Sequence, residues 1–159
     1  MQIIEARKEH FPEIIVMIRK VWDATYRHIL TVKQVEFMQD ALNTVKAFEI
    51  LQYTGHVFYI AIEEERIVGF VSFLKLNDGL RIPKLYVDYC VQNKGIGTLL
   101  LNSVKDFAID NNMIFIELNV NRYNKALYFY RRYGFRVLYS IDIPLGDFEL
   151  NDYVIRLEV

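Results

Sequence analysis

Leu85-Tyr86-Val87-Asp88-Tyr89-Cys90-Val91-Gln92-Asn93-Lys94-Gly95-Ile96-Gly97-Thr98-Leu99-Leu100 is the stretch on which the fold turns. Up to Val87 it reads as a strand. From Gly95 to Asp110 the apolar residues Ile96, Leu99, Leu100, Val104, Phe107 and Ala108 form one helical stripe. A short glycine-containing loop joins the two. The first turn of a helix has unsatisfied N–H groups and a partial positive charge. Glycines let an anion approach that backbone closely, and Lys94 adds a formal charge, so the segment reads as a diphosphate site. A glycine that merely serves the turn is the competing reading. Two common phosphate loops are excluded. Leu100 stands where the dinucleotide pattern needs its third glycine, and no Gly-Lys-Ser/Thr follows.

Upstream of this stretch, Gln2 to Ala6 suggests a short strand, and His10 to Tyr26 a helix with Pro12 near its start. Thr31 and Gln34 have capping-box spacing for a second helix, and a further helical piece runs to about Gln52. His56 to Glu63 and Ile67 to Leu76 are apolar, β-prone runs around a charged turn. Asn77-Asp78-Gly79 marks a hairpin, expected to use positive backbone dihedrals, and Leu80 to Val87 follows as the fourth strand. Pro83 cannot donate to a ladder, so that strand should be irregular or partly unpaired there. Downstream come a strand at Met113 to Val120, a helix at Asn124 to Tyr133, and strands at Phe135 to Ile143 and Glu149 to Glu158. This order specifies an α/β (α+β) chain with one central mixed sheet.

The chain has 159 residues, 53% of them hydrophobic, with no repeat or linker, so residues 1–159 read as a single domain. Its net charge of −1 gives no field that would favour nucleic acid or an acidic membrane. No apolar run is long enough to span a bilayer and no targeting segment stands out, so a soluble chain is expected. Cys90 is the one cysteine, which suits a cytoplasmic location. The three histidines show no ligand spacing, and no metal is expected.

Gln92-x-x-Gly95-x-Gly97 after a Leu-Tyr-Val strand resembles the cofactor motif of the GNAT N-acetyltransferase superfamily. Asn124…Ala126-x-x-x-Tyr130-x-x-x-Gly134-Phe135 is similar to that family's second segment, and Gly69 matches a common third-strand feature. The resemblance implies a mixed, mostly antiparallel sheet of about seven strands flanked by about four helices, with strands four and five splayed. It implies acetyl-CoA as cosubstrate and a primary amine as acceptor. The acceptor is expected to be a small molecule such as a polyamine. A protein or peptide amine, or an inactive acetyl-CoA-binding module, are the alternatives. A homodimer through the C-terminal strands is compatible with such a fold.

Carried over residue by residue, the backbone of Leu85, Tyr86 and Val87 would pair with the pantetheine arm. The N–H groups of Gln92, Asn93, Lys94, Gly95, Ile96, Gly97 and Thr98 would hold the diphosphate. Asn124 would hydrogen-bond the cofactor arm, and Tyr130 would sit near its sulfur as the acid for the leaving thiolate. An alkyl amine, of pKa near ~10.4, arrives protonated, so a base is needed. Glu117 is the first candidate and Asp88 the second. A solvent-facing strand residue is the competing reading for Glu117. Trp22 and Tyr26, four apart on one helix face, are candidate acceptor contacts, as are Asp23 and Phe37. A packed core stripe explains Trp22 and Tyr26 equally well. Asp23, Glu36 and Asp40 are the carboxylates a polycation would need.

Overall fold

The computed structural model describes residues 1–159. Its strands are β1 (Gln2–Glu5), β2 (Val57–Glu63), β3 (Arg66–Lys75), β4 (Gly79–Val87), β5 (Phe115–Asn121), β6 (Arg136–Leu145) and β7 (Phe148–Glu158). Its helices are α1 (Phe11–Tyr26), α2 (Val32–Leu42), α3 (Val45–Tyr53), α4 (Ile96–Asp110) and α5 (Ala126–Tyr133). The strands form one 7-stranded sheet in the order β1-β2-β3-β4-β5-β7-β6. Only β4 and β5 run parallel. No helix is long and apolar enough to cross a membrane.

Five helices form, matching the five helical pieces read from the sequence and one more than the resemblance implies: Asn43 leaves the helical region and Thr44 caps a fresh helix by accepting from the Ala47 N–H. The Thr31–Gln34 box forms as read: Gln34 N donates to Thr31 Oγ1 at 3.2 Å, and Thr31 N donates to Gln34 Oε1 at 2.9 Å. The Asn77-Asp78-Gly79 turn forms too, but neither Asp78 nor Gly79 has a positive φ. Glycine is required there for space, since a Cβ on Gly79 would lie 2.4 Å from the Phe115 ring. Pro144 falls inside β6, an edge strand, where a missing N–H does no harm.

Two apolar layers cover the sheet. One, with Phe11, Ile14, Ile18, Phe48, Phe58 and Phe70, lies under α1, α2 and α3. The other, with Leu100, Leu101, Val104, Ile116, Leu118 and Tyr130, lies under α4 and α5. Ile116, Leu118 and Val120 of β5 belong to the α4–α5 layer. Strand alternation therefore turns Glu117, Asn119 and Asn121 to the α1 side.

Pro83 does what the sequence suggests, in two ways at once. The β4–β5 pairing covers only Gly79 to Ile82 against Phe115 to Leu118, and past Pro83 the two strands diverge. On the other edge of β4, Phe73 alone stands opposite both Ile82 and Pro83, between the Ser72–Lys84 and Leu74–Arg81 pairs. This is a bulge with the extra residue on β4. It reverses which side chains face which layer. Leu80 and Ile82 point to α4, whereas beyond the bulge Leu85 and Val87 do, and Lys84 and Tyr86 turn toward the α1–α3 layer.

Candidate active site

The divergence of β4 and β5 leaves a gap through the sheet, and the main chain of β4 is turned into it. Asp88 N donates to Val68 O at 2.9 Å, so that pair is hydrogen-bonded. By antiparallel alternation Tyr86 and Phe70 are also a bonded pair, while Leu85 and Val87 direct their N–H and C=O groups away from β3. Of the three residues expected to offer backbone to a ligand, Leu85 and Val87 are thus placed to do so. Tyr86 spends its main chain on β3, and its side chain packs in the α1–α3 layer. At the gap's mouth, Gln92 Nε2 donates to Val87 O at 3.2 Å.

The loop beyond β4 is built to leave donors free. Asp88 caps its first turn by accepting from Cys90 N at 2.9 Å, which occupies the second base candidate. From Gln92 through Thr98 no main-chain N–H donates to any protein acceptor. Such a row of free donors at a helix start is a ready anion cradle. Its two glycines have different tasks. Gly95 has φ +82 and nothing within 4 Å of where a Cβ would stand, so it makes the turn and leaves the surface open. A Cβ on Gly97 would lie 3.1 Å from Phe129 Cζ, so that glycine lets the first turn of α4 pack on α5. Lys94 lies on the outer side of the loop, in a cleft it shares with Glu63, Glu64, Arg66 and Asp88.

Residues from opposite faces of the sheet meet at the gap. Tyr130 comes from the α5 layer and Tyr26 from the α1 layer, yet the Tyr130 phenol feels the charge of Tyr26. Burial holds the Tyr130 phenol well above its ordinary range, with Tyr26 adding to the effect. Tyr26 is pushed up to about 12, chiefly by burial, with Asn124 opposing and Asp152 assisting. Burial likewise raises Tyr86. All three are therefore neutral hydrogen-bond donors at neutral pH. The Tyr130 ring is 7% exposed and packs against Phe129 and Phe135, while its hydroxyl has no protein partner and keeps contact with solvent.

Asn124 serves two elements. Its Oδ1 accepts from Ala126 N at 2.9 Å and starts α5, while its Nδ2 donates to the Tyr26 hydroxyl at 3.4 Å. Trp22 and Tyr26 pack against each other, tilted by 41°, with ring centroids 4.6 Å apart. The buried Trp22 Nε1 has no hydrogen-bond partner. Phe37 contacts Phe148 at 5.6 Å and lies against Gly146. This contact brings the β6–β7 hairpin down over α2 on the α1 side of the gap.

The expected carboxylates behave differently. Glu117 is clamped on both oxygens, by Arg81 Nη1 at 3.2 Å and by Arg156 Nη2 at 2.8 Å. Arg81 and Arg156 stand directly across from it on the neighbouring strands. A carboxylate engaged in this way is a fastener between β4, β5 and β7, and the arrangement speaks against Glu117 as the base. Asp40 pairs with Arg19 at 3.3 Å and Asp23 accepts from Gln39 at 3.2 Å. Asp40, Asp23 and Glu36 are exposed. Asp152, unremarked from the sequence as a candidate base, is buried beside the site.

The family model described as an acetyltransferase (GNAT) domain matches residues 26–142. An uncharacterized N-acetyltransferase of Mycobacterium bovis is 27% identical over 125 residues, covering 77% of this chain and 80% of that one. Among solved structures, the PaiA N-acetyltransferase of Thermoplasma acidophilum in complex with coenzyme A superposes with a TM-score of 0.86 at 20% identity, over 99% of this chain and 98% of that one. The ribosomal-protein-S18-alanine N-acetyltransferase of Escherichia coli superposes with a TM-score of 0.73 at 16% identity, over 99% and 92%.

Proposed function

Given that this chain belongs to the GNAT family and is an acetyl-CoA-dependent N-acetyltransferase, we propose that it acetylates the primary amine of a small molecule at the gap between β4 and β5. The observation that carries the reading is the gap itself: strand pairing stops at Ile82 and Leu118, and the free donors of the next loop begin at Gln92. The donor's residues fit the space. The N–H groups from Gln92 to Thr98 hold the diphosphate, and the main chain of Leu85 and Val87 pairs with the pantetheine arm. The bound donor supplies an activated thioester carbonyl. A main-chain N–H of β4 polarises that carbonyl. Asn124, with Oδ1 already committed to α5, offers only its Nδ2.

Tyr130 is the acid. A phenol held above its ordinary range by burial disfavours a free phenolate. It therefore suits a relay, protonating the departing sulfur while taking a proton from the amine nitrogen. A small acceptor is favoured by the way the site is roofed. The Phe37–Phe148 contact closes the hairpin over α2, and Trp22 and Tyr26 form an apolar wall. A folded polypeptide tail needs an open groove instead.

Thiol release from acetyl-CoA, measured against a panel of small primary amines and of peptides with free amino termini, tests this. Turnover is expected on small amines. Turnover on peptides alone would transfer the reading to a protein acceptor, as in the E. coli neighbour. Tight coenzyme A binding without turnover on anything would make the chain a binding module.

A further inference from the structure

β7 delivers a carboxylate that has no cation. Asp152 stands opposite Asn121 and is 8% exposed. The five ion pairs of the molecule fall on Asp40, Glu117, Asp142 and Glu158, and none on Asp152. Alternation along β7 puts it on the face of Arg156, which is the α1 side. Burying a carboxylate without a counter-charge is costly even where an amide hydrogen-bonds it. Groups kept at that cost in a cleft commonly meet a charged ligand or exchange a proton.

Its surroundings come from four elements. The Asn119 side chain of β5 lies beside it, and the Tyr26 phenol of α1 faces it. Arg81 of β4 and Arg122 of the turn after β5 act on it from beyond ion-pair range. Arg122 is itself committed to Asp142 of β6 and donates to the Asp152 main-chain oxygen at 3.3 Å. Burial raises the Asp152 carboxyl above its ordinary range, and Asn119, Arg122 and Arg81 oppose it with less effect. Tyr26, in turn, feels Asp152, and Tyr130 feels Tyr26. Asp152 is therefore one phenol removed from the acid, on the side roofed for the acceptor.

We propose that Asp152 receives the acceptor's ammonium group and takes its proton, so that the amine reaches the thioester with a free electron pair. The assignment rests on the acetyl-transfer reading. One N–H bond of the ammonium breaks, the proton goes to the Asp152 carboxylate, and the pair stays on nitrogen. The amine then bonds to the carbonyl carbon and the C–S bond breaks. Tyr130 protonates the sulfur and regains the second nitrogen proton. Asp152 returns its proton to solvent, so one proton is released per turnover. The Tyr26 ring offers a π face to the same cation.

The test is the pH dependence of kcat for wild type and Asp152→Asn, with spermidine, putrescine and phenylethylamine as probes. Wild type should lose activity on the acid side as Asp152 protonates. Asp152→Asn should lower kcat by ~100-fold and remove that limb. Its coenzyme A affinity should change by less than about threefold, because the diphosphate loop is remote from β7. If affinity falls as well, Asp152→Glu decides: recovered activity with an acid limb supports the assignment, and no recovery overturns it. An active wild type beside an equally active Asp152→Asn overturns this assignment alone. A wild type inert on every amine, these and the wider panel, sinks the acetyl-transfer reading, and this assignment with it.

Discussion

The role proposed for Tyr130 follows from its place rather than its type. The chain has 11 tyrosines, and this one has a buried ring and a hydroxyl that still meets solvent, with its charge-free form favoured by burial. Tyr130→Phe keeps the ring packed on Phe129 and Phe135 and removes only the O–H. We expect kcat to fall by ~100-fold with coenzyme A affinity nearly unchanged, in side-by-side kinetics and calorimetry. A wild-type rate would remove Tyr130 from the chemistry. Single residues were unevenly legible in the sequence. Tyr130, Gly95 and Gly97 sit in a local motif and were legible from it as candidates. The packing task of Gly97 was not, because Phe129 lies on another helix. The clamp on Glu117 and the placing of Asp152 depend on which residues face each other across β4, β5 and β7, a register that no local pattern states.

At the scale of the element, β4 is the strand on which most depends. Its proline announces an irregularity, but the reversal of side-chain facing arises from the bulge against β3, which involves the partner strand. One product of that reversal is Lys84, 7% exposed, over the Phe48 ring and donating to Asn43 Oδ1 at 3.0 Å. It has no carboxylate partner, and burial lowers its pKa from 10.5 to about 8. The unfolded chain therefore binds this proton where the folded chain has released it. Stability should rise with pH between about 8 and 10.5, and fall as pH drops toward the folded value. The whole effect is on the order of 3 kcal/mol. Urea unfolding from pH 8 to about 9, where free tyrosines are still largely protonated, should show that slope in wild type. Lys84→Met, similar in volume, should not show it. An equal slope in both proteins would contradict the account of Lys84.

At the scale of the molecule, the site exists because a sheet is left open. Insertion of β7 between β5 and β6 gives β5 a full partner on one edge, so it can leave β4 on the other without unravelling. Each layer then reaches through to the other: α1 supplies Trp22 and Tyr26, and α5 supplies Tyr130. The order of strands and helices was readable from the sequence because hydrophobic period and turn residues are local. The opening was readable only as an irregularity at Pro83 and as a feature implied by resemblance. The most direct measurement is an amide NMR titration with coenzyme A, following each backbone N–H. The largest shifts should fall on Gln92 through Thr98, with Leu85 and Val87 following and Tyr86 moving less. Shifts that leave Gln92 to Thr98 undisturbed while coenzyme A binds would contradict the central claim.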